Sequence, residues 1–230
     1  MNFLAHFWLA RRDLGAREAA VGAMLPDFWR MADRRVRPSR EAIVAMGGTQ
    51  QGRLAEVLAG IEHHGRADAV FHRSGVFEDG ERRLAGALAG VGAPRMPLFA
   101  HVAWELCLDG ALVRREPALA SDVARAISEA DGLDEAARLH HAARTKGQPL
   151  PAPFAPRMAR ILEVLGAAEW LSGYARPEEV ARRLDGVRVR VGLPELDAPS
   201  PARLVTVLGA ALEAGDDALP ALRALAISGA

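Results

Sequence analysis

The stretch Leu98-Phe-Ala-His-Val-Ala-Trp-Glu-Leu-Cys-Leu-Asp-Gly-Ala-Leu-Val113 decides the fold. It reads as a helix that is apolar nearly all round, and such a helix is a buried one. Its only ionisable polar side chains are His101, Glu105 and Asp109, each four residues from the next. A step of four turns a helix by about 400°, so the three stand on one stripe that drifts by about 80° in total. Burying two carboxylates is costly unless a cation or a donor pairs with them. Something must compensate that stripe.

A second stripe with the same spacing lies upstream. Gly60-Ile-Glu-His-His-Gly-Arg-Ala-Asp-Ala-Val-Phe-His72 puts His64, Asp68 and His72 at i, i+4 and i+8 of a long helix expected over 50–72. Neighbours at that spacing lie about 6 Å apart along the axis, close enough to share a metal ion. Facing helices that each offer imidazole and carboxylate are how helical bundles build metal sites. The mixed nitrogen and oxygen set suits manganese, iron, zinc or cobalt better than calcium. Ordinary helix-surface ion pairs, or a buried polar network that fixes helix register, would use the same residues. The metal reading predicts that the helices over 50–72 and 97–114 are buried neighbours, with Asp68 and His101 on one side.

Outward from these stripes, apolar residues recur at three and four, which is the helical period. Helices are expected over 3–12 (with Asn2 as cap), 16–32 (interrupted at Pro26), 40–47 (from Ser39 and Glu41), 79–89, 117–130, 133–145, 156–174, 177–186, 200–214 and 216–227. The only alternating run, Val187 to Val191, is too little for a sheet. The class is all-α, read as a single domain over 1–230. Four prolines between Gly147 and Pro156 make a rigid extended connection, and the helices over 200–227 read as a possible appendage.

Composition narrows the function. The 230 residues are 50% hydrophobic and 25% charged, with 29 basic and 29 acidic side chains. That balance excludes disorder and gives no bulk positive charge for nucleic acid or an anionic membrane. The apolar start, Phe3 to Ala10, is too short to span a bilayer and makes a poor signal peptide. One cysteine, Cys107, rules out an internal disulfide or a thiolate zinc site and suits a reducing cytoplasm. There is no glycine-rich phosphate loop and no serine nucleophile elbow. Near the N-terminus, His6 sits in an apolar run and Asp27 follows Pro26; a satisfied core histidine and a capping aspartate are the plainer readings. The pair His140-His141 reads as a solvated face. Arg30, Arg34, Arg35, Arg37 and Arg40 form a basic run close to Asp27, either a solvated face or a docking face for an acidic partner.

Several of these segments together resemble the acyl carrier protein phosphodiesterase family. They are the opening Met-Asn-Phe-Leu-Ala-His6, the segment Gly22-Ala-Met-Leu-Pro-Asp27-Phe28, Gly60-Ile61 with His64, Arg66 and Asp68, the helix bearing Trp104 and Leu108, and Glu169-Trp-Leu-Ser-Gly-Tyr174. The chain departs from that pattern at His72, where the family commonly has aspartate, and at Gly65, where it has arginine. Glu105-Leu106, with His101 one turn earlier, replaces an adjacent aspartate-histidine pair. The resemblance implies an HD-domain-like helical bundle with a central metal-capable site. It implies a divalent ion, usually manganese, with iron, zinc or cobalt as alternatives, and cleavage of 4′-phosphopantetheine from holo-acyl carrier protein. On that reading His6, Asp27, His64, Asp68, His72 and His101 are the candidate ligands. Glu105 or Asp109 would orient the attacking water or take its proton, and Arg30 and Arg66 would bind substrate. A non-catalytic helical protein that kept the fold, a phosphohydrolase acting on another phosphoester, and a metal-dependent oxygenase are the alternatives.

Overall fold

The computed structural model describes residues 2–46 and 50–227. Among the described residues there are α-helices, two short 3-10 turns and no strand. The first half contains α1 (Phe3–Leu14), α2 (Arg17–Gly22), α3 (Leu25–Ala32), α4 (Arg40–Met46), α5 (Gly52–Phe71) and α6 (Gly75–Ala89). The second half contains α7 (Ala100–Arg115), α8 (Leu119–Glu129), α9 (Leu133–Thr145), α10 (Phe154–Leu165), α11 (Ala168–Ser172), α12 (Pro177–Arg190) and α13 (Ser200–Arg223). Gly47, the expected end of the 40–47 helix, lies outside the described residues. One hydrophobic cluster runs from Phe3 to Ile227 and takes side chains from every helix.

α7 is central, as its composition requires: Ala103, Trp104, Cys107, Leu108, Ala111 and Leu112 are all buried. α13, α6, α12 and α1 pack around it. The Met96–Arg115 segment is long and apolar enough to cross a membrane by length and composition, but 67% of its window is buried inside the protein. A core helix passes the same test for the same reason. At Gly110 the Tyr174 carbonyl and the Leu212 side chain occupy the space a Cβ would need. The Trp170–Tyr174 segment of the family-like motif therefore braces α7 from behind. Burial pushes the Cys107 thiol up, so it stays protonated and inert.

Several expectations are corrected. The segment 200–227 does not stand apart as two helices. α13 is continuous to Arg223, lies along α7, and buries Leu204, Leu208, Leu212 and Leu219. Gly215, which reads as a break in sequence, lets α13 come down onto the Cys107 carbonyl and Ala111. The helix expected from 16 divides into α2 and α3, with Pro26 in the first turn of α3, where a missing N–H costs nothing. For the same reason Pro156 falls inside α10, so the extended connection ends at Pro153. The Val187–Val191 alternation is the end of α12 and the residue after it. His140 and His141 are buried rather than solvated. His140 Nε2 accepts the Ser39 N–H at 3.0 Å, and its ring packs on Trp29 with centroids 5.0 Å apart. α5 and α7 are not packed along each other; α1 packs against both.

α2 and α5 touch backbone to backbone. A Cβ on Gly60 would overlap the Ala19 carbonyl oxygen, and one on Gly22 would overlap that of Val57. This crossing sets how far α5 stands from α3, and so positions His64. Gly60→Ala should lower stability by at least about 1–3 kcal/mol through overpacking, read by urea unfolding. An unchanged midpoint would mean that the helices can part without cost.

Candidate metal centre

The site begins at the first turn of α1. Asn2 flanks the helix, but its side chain does not cap it. Instead Asp109, reaching from α7, accepts the Leu4 N–H at Oδ2 (3.0 Å) and the Ala5 N–H at Oδ1 (2.9 Å). The Asn2 side-chain amide adds a third bond to Asp109 Oδ2 at 2.8 Å. Asp109 is fully buried, and burial pushes it up to about 7 against the pull of those N–H groups. The catalytic role that the sequence suggests for Asp109 is therefore not reflected in its surroundings. Its oxygens are taken up by the start of α1, whose free N–H groups need acceptors.

With α1 anchored, His6 on its next residue is buried beneath α5. Its ring stacks on that of His64, with centroids 3.8 Å apart and planes at 21°. His64 Nδ1 lies 2.8 Å from the Ala23 carbonyl at the end of α2. A carbonyl can only accept, so Nδ1 carries the proton and Nε2 presents its lone pair. Asp27, in the first turn of α3, completes the group: one ligand atom from each of His6, Asp27 and His64 lies within 4.8 Å of the others. Both ring nitrogens of His6 and Oδ2 of Asp27 are buried without a hydrogen bond. Such atoms are expensive to bury, and a cation between His6 and Asp27 would satisfy one ring nitrogen and the carboxylate oxygen together. The residues fit a divalent ion on that ground. Burial, with His64 close by, puts His6 well below its ordinary range, and burial pushes Asp27 up to about 6. A neutral imidazole is the form that binds metal.

Asp68 follows one turn along α5. Its Oδ1 lies 3.2 Å from His6 Nε2 and 3.7 Å from His72 Nε2, and its Oδ2 lies 3.6 Å from His64 Nε2. Burial alone would raise its carboxyl, but the His6 and His64 imidazoles outweigh it and hold the group below the carboxylate range. Beyond Asp68 is a second group of three: His72, His101 and Glu105 also bring ligand atoms within 4.8 Å of one another. Glu105 Oε1 is 3.2 Å from His101 Nε2 and 3.7 Å from His72 Nε2. Burial opposes the charge on Glu105, yet His101 prevails and keeps it ionised; Glu105 in turn raises His101. The apolar surround of α7 alone would have had the opposite effect on an unpaired carboxylate.

The structure thus brings together His6, Asp27, His64, Asp68, His72, His101 and Glu105, from α1, α3, α7 and the length and C-terminal cap of α5. It leaves out Asp109, Arg30 and Arg66. Arg66 pairs with Glu62 at 3.1 Å, and Arg30 is exposed on α3 one turn past Asp27. Two neighbours are not legible from the stripes. Glu81 Oε1 lies 3.5 Å from His101 Nδ1, and the Phe77 ring sits against both His72 (4.4 Å) and His101 (4.8 Å). Ser74, which caps α6 by accepting the Phe77 N–H, is the missed signal: it starts the helix four residues before 79 and puts Phe77 and Glu81 on one face.

A helical fold closed around a buried imidazole and carboxylate cluster defines the class: an all-α protein with a metal-capable centre. The chain belongs to the acyl carrier protein phosphodiesterase family, whose sequence model matches residues 1–202. Neither a curated protein nor a solved structure gives a match. The matched span holds every residue of the cluster. Of the departures from the family pattern, Gly65 has open space where a side chain would stand.

Proposed function

We propose that this chain is a metal-dependent phosphodiesterase that releases 4′-phosphopantetheine from holo-acyl carrier protein, with one divalent ion, manganese before iron, zinc or cobalt, held by His6, Asp27, His64 and Asp68. The observation that carries the reading is the set of buried polar atoms on His6 and Asp27 that lack hydrogen bonds, beside a His64 whose Nδ1 is fixed by Ala23. When bound, such an ion polarises a phosphoryl oxygen and makes a coordinated water acidic.

The chain's own groups supply the rest. The Ala23 carbonyl fixes the His64 tautomer, as partners behind a ligand commonly do. Glu105, ionised and mostly buried, offers an oxygen for the proton of the attacking water. The water oxygen joins phosphorus, the bond from phosphorus to the serine oxygen breaks, and that oxygen takes a proton. The proton then reaches solvent on the partly exposed side of the cluster, where His101 and Glu81 lie next to Glu105. Arg30, Arg34, Arg37 and Arg40, which follow Asp27 in the chain, are exposed and suit an acidic protein partner, so salt should weaken docking. Arg66 stands between His64 and Asp68 in sequence, and its bond to Glu62 must loosen if it is to reach a phosphate.

The test is mass spectrometry of holo-acyl carrier protein incubated with metal-stripped protein, with and without added ion. Release only in the presence of Mn(II) or a related ion is expected; no release with any of the four metals overturns the reading. Glu105→Gln keeps the volume and removes the charge, and should lower turnover about 100-fold or more while the helical signal is unchanged. A wild-type rate in that variant would remove Glu105 from the chemistry.

A further inference from the structure

The buried centre accounts for Asp68 on one side only. Its Oδ1 faces His6 but also His72, and His72 opens onto a separate set of ligand atoms. We propose that His72, His101 and Glu105 hold a second divalent cation, with Asp68 as the carboxylate shared between this position and the buried one. The inference rests on the preceding reading that the buried position holds an ion, and adds a partner for it.

Three observations support it. The group is compact: Glu105 Oε1 lies 3.2 Å from His101 Nε2 and 3.7 Å from His72 Nε2, and one ligand atom of each residue lies within 4.8 Å of the others. The groups are continuous, since Asp68 lies 3.2 Å from a nitrogen of the first and 3.7 Å from a nitrogen of the second. The second group is also built rather than incidental. His72 and His101 come from different helical segments, stack with centroids 4.9 Å apart, and are wedged by Phe77. His72 Nδ1 is buried without a hydrogen bond, so its ring is oriented by packing. Two imidazoles and two carboxylates are a donor set for the same metals as the buried centre.

Exposure separates the two positions. His6 is fully buried, whereas the His72 and His101 side chains are 30% and 45% exposed. An ion there can enter and leave without opening the fold, so it binds more weakly and exchanges faster. Paired metals of this kind clamp the attacking and leaving oxygens of a phosphoryl transfer. Glu105 can bind through Oε1 and still offer Oε2 to water.

Equilibrium dialysis of the metal-stripped full chain against Mn(II), with electron paramagnetic resonance of the loaded protein, tests this without substrate. The expected result is two ions per chain, one tight and one weak, with a spin-coupled signal when both are present. His101→Gln should weaken only the second ion, by about tenfold or more. His72→Ala with His101→Ala should leave one tight ion, and circular dichroism will report whether that variant is folded. His101, being partly exposed, is the position where substitution spares the fold. One ion in the wild type, or two in the folded double variant, overturns the proposal. Two uncoupled ions overturn the sharing by Asp68. No ion at all defeats the buried centre as well, whereas one tight ion indifferent to His72 and His101 defeats only the second.

Discussion

Asp68→Ala should reduce divalent-metal affinity and phosphopantetheine release together, each by about 100-fold or more, while the chain remains folded. Among the described residues, Asp68 is the one side chain that faces His6, His64 and His72 at once, at 3.2, 3.6 and 3.7 Å. Alanine takes away the carboxylate charge that faces these imidazoles, which cannot replace it. The helix itself tolerates the change, because alanine is the best helix former and the Asp68 side chain is about a third exposed. Metal content, hydrolysis rate and circular dichroism measured on one preparation separate the outcomes. Unchanged metal content would reduce Asp68 to a partner in ordinary ion pairs.

Asp109→Ala should be the most damaging substitution for stability. It leaves the Leu4 and Ala5 N–H groups and the Asn2 amide without their acceptor, two of them fully buried. Each buried donor left unpaired costs about 1–3 kcal/mol, so a loss of roughly 3–5 kcal/mol is expected, with a cavity beside Tyr174 adding to it. Asp109→Asn keeps one acceptor oxygen and should lose less. Thermal melts of the two variants check the order. If alanine and asparagine melt with the wild type, the bonds to α1 contribute nothing and His6 is held by packing alone.

Much of this was legible in the sequence because it is periodic. The four-residue spacings on α5 and α7 announced His64, Asp68, His72, His101 and Glu105, and the apolar surround of α7 announced its burial. The all-α class followed from the same periodicity. Illegible features depend on residues far apart in the chain. Asp109 lies on the α7 stripe and was read with Glu105. Its drift around the helix, about 40° further on, turns it toward α1, an element 104 residues away that no local pattern points to. His140 reads as solvated because the pair His140-His141 leads into Ala142-Ala-Arg-Thr-Lys146; Ser39 and Trp29, which bury it, come from elsewhere. Gly215 read as a break because a glycine in a helix looks the same whether it ends the helix or lets another helix approach.

The borrowed cap on α1 also sets an order of events as the chain folds. A helix of 12 residues with no N-terminal side-chain cap of its own is marginal in water, so the first turn of α1 is satisfied only when α7 arrives to supply Asp109. The candidate ligands at positions 6, 27, 64 and 68 all leave the ribosome long before that. α2 and α5 are by then present to pack on α1, but its first turn, which sets His6 against His64, still lacks its acceptor. Closure of the centre therefore belongs to the late, long-range steps that make folding slow. An N-terminal piece ending before α7 contains the candidate ligands of the buried position but lacks the carboxylate that fixes the start of α1.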